Sequence, residues 1–300
     1  MRWIKGIISL GLLFFLLCSL SWGEIFSSLF QASFIWVAYA LIASFGYFWV
    51  AAWRWRLLLR SLDVQPPSLP TLAQVYFIGG FFNNFAPANL GGDAARITAL
   101  LSRGRNGVSI TSSVILERIL NLVGLCTLCI WAFLAQPLPL STQINLTMGW
   151  WGGAVGIGIL SMLIALAFWP PPIIRPWISK MHEMSKIVWR HPLELAQAMI
   201  ATLILHFVLM LITFNNSQAV SIYLPLSIHL AVYAIAGIAT ALPITIQGIG
   251  IREGIYLGLF GNLGIAPESV LAALALNYIV LIMFSLLGGI FIFVTPRCLR

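Results

Sequence analysis

The amino-acid sequence predicts an all-α polytopic membrane protein: about six full spans plus two re-entrant helical hairpins arranged as an inverted repeat. Three observations carry this expectation. Hydrophobic residues make up 60% of the 300-residue chain and charged residues only 8%, with a mean hydropathy of +0.98, a composition foreign to water-soluble domains. The basic residues fall in short clusters between apolar runs. Two of those runs are interrupted by proline, glycine and charge: GFFNNFAPANLGGDAAR over Gly80–Arg96 and PITIQGIGIR over Pro243–Arg252. Long apolar runs throughout leave no stretch for a separate soluble domain, so residues 1–300 read as a single integral membrane domain. The net charge of +8 is the orientation signal of a membrane protein rather than a nucleic-acid footprint, and no nucleic-acid partner is expected.

The elements follow in chain order. Arg2 and Lys5 precede an apolar run over 7–22 with no small-residue cleavage site after it, which is expected to stay as a first span. Phe34 to Trp53 is a second span, ending in Arg54, Arg56 and Arg60 as a cytoplasmic end should. Pro66, Pro67 and Pro70 mark a loop. Hairpin one, about 71–102, then runs in along Leu72–Phe85, breaks at Pro87–Gly92 and returns along Asp93–Leu101. A full crossing here would place Arg103, Arg105, Arg175, Lys180, Lys186 and Arg190 outside, whereas a re-entrant hairpin keeps them all cytoplasmic. Val108 to Ala135 crosses outward, Thr147 to Trp169 returns, and Ile173 to Arg190 has the helical spacing of a segment lying along the headgroups. Leu195 to Phe214 crosses outward again. Hairpin two, about 218–268, contains Leu226–Leu242, the second broken stretch and a short helix from Arg252 to Leu263. Val270 to Val294 is the last span and brings Arg297 and Arg300 to the cytoplasm.

An odd number of crossings (108–135, 147–169 and 195–214) separates the hairpins, so they enter from opposite faces. Matched broken segments of opposite orientation mark inverted-topology transporters, whose sites lie near the midplane. The two stretches share a local pattern: glycine five residues after the proline (Gly92 and Gly248) and arginine nine after it (Arg96 and Arg252). Both termini are expected to be cytoplasmic. Cys126 and Cys129 have no companion His or Cys cluster and read as helix packing, so no metal and no cofactor is expected.

The motifs FFNNFAPANLGGDAAR, VILERIL around Glu117 and Arg118, and LPITIQGIGIREG, followed by a final long span, together resemble the transmembrane region of lysylphosphatidylglycerol synthases, whose stand-alone members are known as flippase-like membrane proteins. The resemblance covers nearly the whole chain and implies lipid translocation at a bacterial-type inner (plasma) membrane. The chain ends at Arg300 without the soluble aminoacyl-transferase domain of full-length synthases, so aminoacylation is not expected, and it departs from the usual second motif at Gln247.

Asp93, Arg96, Glu117, Arg118, Arg252 and Glu253 are the ionisable residues this topology leaves at membrane depth, where each charge costs about 2.5–3.5 kcal/mol on insertion scales. One reading is a lipid-headgroup site. Arg96 and Arg252 hold a phosphate by paired N–H···O bonds, helped by the backbone N–H groups of Gly91, Gly92, Gly248 and Gly250 at helix starts. Asp93, Glu253, Glu117 and Arg118 then orient the arginines or bridge to them. The other reading is a structural ion-pair network tying hairpins to spans. Glu117 as a proton-coupling carboxylate is a third. Asn84 and Asn89, with Asn83, either contact the headgroup or cap the broken helix ends. His206, His229 and Asn277 read as interhelical hydrogen bonding.

The expected function is translocation of a membrane phospholipid or other phosphate-bearing lipid. Alternatives are polyprenyl-phosphate carrier transport for a glycosyl pathway, and a non-transporting scaffold or regulatory subunit; a homo-oligomer or a pathway-enzyme partner stays open under each of these readings. Intramembrane headgroup chemistry is disfavoured, because the sequence has no His-rich cluster, paired-Asp motif or Ser/His arrangement.

Overall fold

The structure, a computed structural model, describes residues 22–83, 90–101, 106–135, 190–241 and 250–294, and every regular element among them is an α-helix. In chain order these are α1 (Trp22–Phe30), α2 (Phe34–Ser61), α3 (Leu69–Asn83), α4 (Leu90–Leu101), α5 (Gly107–Ala135), α6 (Pro192–Ala219), α7 (Leu226–Ala241), α8 (Ile251–Gly261) and α9 (Pro267–Val294). All but Trp22 of the expected span over 7–22, the segments 147–169 and 173–189, and residues 84–89 and 242–249 of the two broken stretches lie outside the described residues; Gly91 and Gly92, expected in the first break, already belong to α4.

Four of the described helices, α2, α5, α6 and α9, are long and apolar enough to cross a membrane. At 1.5 Å per residue a 28-residue helix such as α2 reaches roughly 42 Å, more than the roughly 30 Å of bilayer hydrocarbon. The 15 residues of α3 and the 16 of α7 reach only about 22–24 Å, which falls short of that thickness.

The frame is an antiparallel pair. Ser33, just before α2, donates its N–H to the carbonyl of Ala219 at the end of α6 at 2.9 Å. At the opposite end His191, just before α6, sits 3.1 Å from Asp63, just after α2. Between these ties α2 and α6 stay in contact along their length. Small buried residues, Ala40, Ser44 and Ala51 on α2 and Ala198, Ala201 and Thr202 on α6, let the backbones approach. Arg54, one of the three arginines expected to mark a cytoplasmic end, is 2% exposed. It lies on the buried stripe that runs through Ala40, Ser44, Ala51 and Leu58, and the helix continues beyond it to Ser61.

The short helices pack onto this frame. α4 runs back along α3, with Gly92 against Gly79 and the Arg96 guanidinium over the Tyr76 ring, one turn earlier on α3. α3 lies on α9, where Phe77 stacks on Phe48 of α2 at 4.2 Å between centroids and Phe284 of α9 packs 6.0 Å from Phe48. Gly288 admits the backbone of α3 so closely that a Cβ there would overlap the Phe77 carbonyl oxygen. A second core joins α1, α7, α8 and α9 through Ile25, Val232, Tyr256, Phe260 and Val270.

The contrast between glycines is testable. Gly288→Ala drives a methyl group into backbone that cannot swing aside, an overpacking cost of about 1–3 kcal/mol. Gly46 on α2 has nothing within 4 Å of the same position, so Gly46→Ala should gain up to about 1 kcal/mol of helix propensity. Melting temperatures in detergent should therefore move in opposite directions. Equal shifts would mean that α3 and α9 are not in this contact.

Candidate functional site

Five charged side chains from three helices, α2, α4 and α5, form one chain of ion pairs. Glu117 on α5 is at its centre: Oε1 accepts from Arg54 Nη2 at 2.5 Å and Oε2 from Arg96 Nη1 at 2.8 Å. The Tyr76 hydroxyl lies 3.0 Å from each of those oxygens. Asp93 on α4 continues the chain, taking Arg96 Nη2 on Oδ1 and Arg118 Nη2 on Oδ2, both at 2.5 Å. The Arg96 guanidinium also stacks 4.5 Å from the Tyr76 ring centroid and 5.2 Å from that of Trp55. Trp55 is fixed in turn by donating to Ser113 Oγ at 2.9 Å. Exposure rises along the chain, from 2% for the Arg54 side chain through 7% for Arg96 to 46% for Arg118. The network thus starts in the interior and ends at a surface. Charge-assisted bonds at every link are what make so many buried charges tolerable.

Beside the network is a cavity of about 480 Å³, within the roughly 300–1,000 Å³ range of ligand pockets. Both ends of the charge chain reach it: Arg54 and Arg118 line it, and Arg252 of α8 lines it with them. Among the described residues Arg252 has no carboxylate within 4 Å of its guanidinium nitrogens. Asn121, His206, Tyr233 and Asn277 are among its polar lining, and Leu125 and Phe284 among the apolar side chains that make up most of its wall. The polar side is held rigidly. Arg54 Nη1 donates to Asn121 Oδ1 at 2.5 Å. His206 Nε2 lies 3.0 Å from the Asn121 carbonyl and Nδ1 3.0 Å from the Tyr233 hydroxyl. A carbonyl can only accept, so Nε2 carries the proton and Nδ1 accepts from Tyr233. Gly124 makes room for this ring, since a Cβ there would stand 2.9 Å from His206 Cδ2.

The sequence-predicted residues separate into two groups. Arg118 and Arg252 face the common cavity, together with Arg54, which the sequence reading assigned to a cytoplasmic end. Arg96, expected to share a cavity with Arg252, lies behind it, its two terminal nitrogens bonded to Asp93 and Glu117. Gly92 serves the helix contact: its N–H donates to Asn83 Oδ1 at 2.7 Å, and a Cβ would stand 2.6 Å from the Gly79 carbonyl. Asn83 therefore caps α4. Gly91 is the second residue of the same helix. Gly250 starts α8 with φ +90°, and Glu253 reaches back to its N–H at 2.6 Å while accepting from the Tyr278 hydroxyl at 2.5 Å. Gly248, Asn84 and Asn89 lie outside the described residues. His229 is buried between the Phe214 and Phe260 rings, away from the cavity lining, with Nδ1 3.3 Å from the Pro225 carbonyl. Asn277 accepts from Asn216 Nδ2 at 2.6 Å, an interhelical bond between α6 and α9.

Sequence reasoning missed Arg54, Tyr76, Tyr233 and Tyr278. A signal for Arg54 was present: it continues the small-residue spacing of Ala40, Ser44 and Ala51 along one face of α2. The tyrosines carried none, since an amphipathic ring in an apolar helix reads equally well as an interfacial anchor.

A comparison with curated proteins finds no match for the chain. Residues 2–289 match the family described as the lysylphosphatidylglycerol synthase TM region.

Proposed function

We propose that this chain, which belongs to the lysylphosphatidylglycerol synthase TM region family, is a lipid translocase that carries a phosphate-bearing lipid between the leaflets of a bacterial-type inner membrane. One observation carries the reading: three arginines from three different helices converge on a cavity whose remaining wall is largely apolar. Guanidinium groups suit phosphate because they offer paired donors in a fixed fork, and an apolar wall suits acyl chain. The α3–α4 and α7–α8 pairs are in this reading the two re-entrant hairpins, entering from opposite faces with both termini cytoplasmic. The shortness of α3 and α7 and the antiparallel return of α4 along α3 support it. Arg96, Asp93 and Glu117 then act behind the cavity, setting the pose of Arg54 and Arg118. No enzymatic step is needed, and no cofactor enters.

The test is a leaflet-resolved assay. The purified chain is reconstituted into vesicles carrying a tail-labelled anionic phospholipid, and a membrane-impermeant quencher reports the fraction in the outer leaflet with time. Exchange above that of protein-free vesicles is expected. The same slow rate in both would end the translocase reading.

A further inference from the structure

We infer that the lipid this cavity takes is a monoanion, a phosphodiester whose remaining headgroup is uncharged, and that the cavity selects it by charge. The inference rests on the translocase reading and narrows its substrate class. The cavity wall contains Arg54, Arg118 and Arg252 but, among the described residues, no Asp or Glu. The nearby carboxylates are all committed. Asp93 gives one oxygen to Arg96 and the other to Arg118; Glu117 gives one to Arg54 and the other to Arg96. Glu253 bonds the Gly250 N–H and Tyr278. A headgroup ammonium would therefore enter a site that offers it no counter-charge and three like charges, which disfavours amine-bearing lipids of either zwitterionic or cationic kind.

The charge count then separates one anion from another. Around the cavity the four arginines 54, 96, 118 and 252 stand against three carboxylates, 93, 117 and 253. Among the described residues around the cavity this leaves one positive charge uncompensated. A phosphodiester neutralises it. A phosphomonoester approaching two negative charges would leave a net negative charge in a low-dielectric site, which is costly.

Vesicles carrying one of four tail-labelled probes test this: phosphatidylglycerol (monoanion), phosphatidylethanolamine (zwitterion), lysyl-phosphatidylglycerol (net cation) and phosphatidic acid (monoester). Phosphatidylglycerol should cross about tenfold faster than each of the others, the discrimination of one charge-assisted contact. Two variants remove the surplus charge from different helices. Asn277→Asp keeps its size and can still accept from Asn216 Nδ2, and Arg252→Gln deletes a cation directly. In both, phosphatidylglycerol should slow at least about tenfold and its advantage over phosphatidylethanolamine should vanish. If only one variant is recovered folded, it decides alone. Equal wild-type rates for phosphatidylglycerol and phosphatidylethanolamine, faster movement of phosphatidic acid or lysyl-phosphatidylglycerol, or an unchanged preference in the variants would overturn the monoanion assignment and leave translocation standing. Movement of none of the four probes would overturn the translocase reading and the inference together.

Discussion

Glu117→Gln is expected to deplete folded protein before it has any chance to alter transport. The substitution removes one charge and almost no volume. Yet it leaves Arg54, 2% exposed, without a carboxylate partner, and leaves Arg96 with Asp93 alone. Removing one member of a buried pair costs about 3–5 kcal/mol, because the remaining charge stays buried and uncompensated. Against total stabilities of about 5–15 kcal/mol that is a large share. The variant should show a sharply reduced monodisperse fraction after detergent extraction and a melting temperature lower by about 10 °C. Combining Glu117→Gln with Arg54→Leu should recover part of the loss, since the orphaned charge leaves with its partner. A Glu117→Gln protein with wild-type yield and melting temperature but no transport would instead identify Glu117 as a coupling carboxylate.

Arg252→Gln should behave in the opposite way: normal yield, and transport per folded molecule down about 10–100-fold, the worth of a charge-assisted contact of about 1.5–3 kcal/mol. Arg252 lines the cavity and, among the described residues, has no carboxylate within 4 Å. Its removal leaves no buried carboxylate unpaired. Arg252→Lys should fall in between, since an ammonium keeps the charge but not the forked geometry. The matched arginine of the first broken stretch follows Glu117 instead. Arg96 joins two carboxylates with separate nitrogens, a span that one lysine ammonium does not reproduce, so Arg96→Lys should lower stability first. If Arg96→Lys and Arg252→Lys both fold normally and lose transport alike, the division drawn between a cavity arginine and a scaffold arginine is wrong.

Much of the helical layout was readable from residue order alone, and the reason is the bilayer. Without water to satisfy the backbone, apolar runs must be helices and breaks must occur where proline and glycine sit together. Leu226–Leu242 and Val108–Ala135 accordingly appear as α7 and α5 with ends displaced by a residue or two. Arg54 shows where this logic stops. Clustered arginines next to an apolar run signal a membrane end, and Arg56 and Arg60 fit that rule. Only the packing of α2 against α5 and α6 shows that Arg54 turns inward to Glu117 and Asn121.

Residue order alone sets the class of the protein, the positions of the described long helices, and which ionisable residues interrupt its apolar segments. Composition, hydrophobic run length and proline–glycine chemistry act locally, and each can be read along the chain. Asp93 and Arg96 pair locally, three residues apart on one helix, but the links of Glu117 to Arg54 and Arg96 and of Asp93 to Arg118 come from tertiary packing. Asp93, Arg96 and Arg118 are tied together across two helices, and Arg54 lies sixty-three positions from Glu117. Which arginine faces the cavity and which lies behind it depends on how closely α3, α4 and α5 approach. That approach is set by glycine contacts such as Gly79 on Gly92, whose distances are a property of the packed helices and not of any one segment.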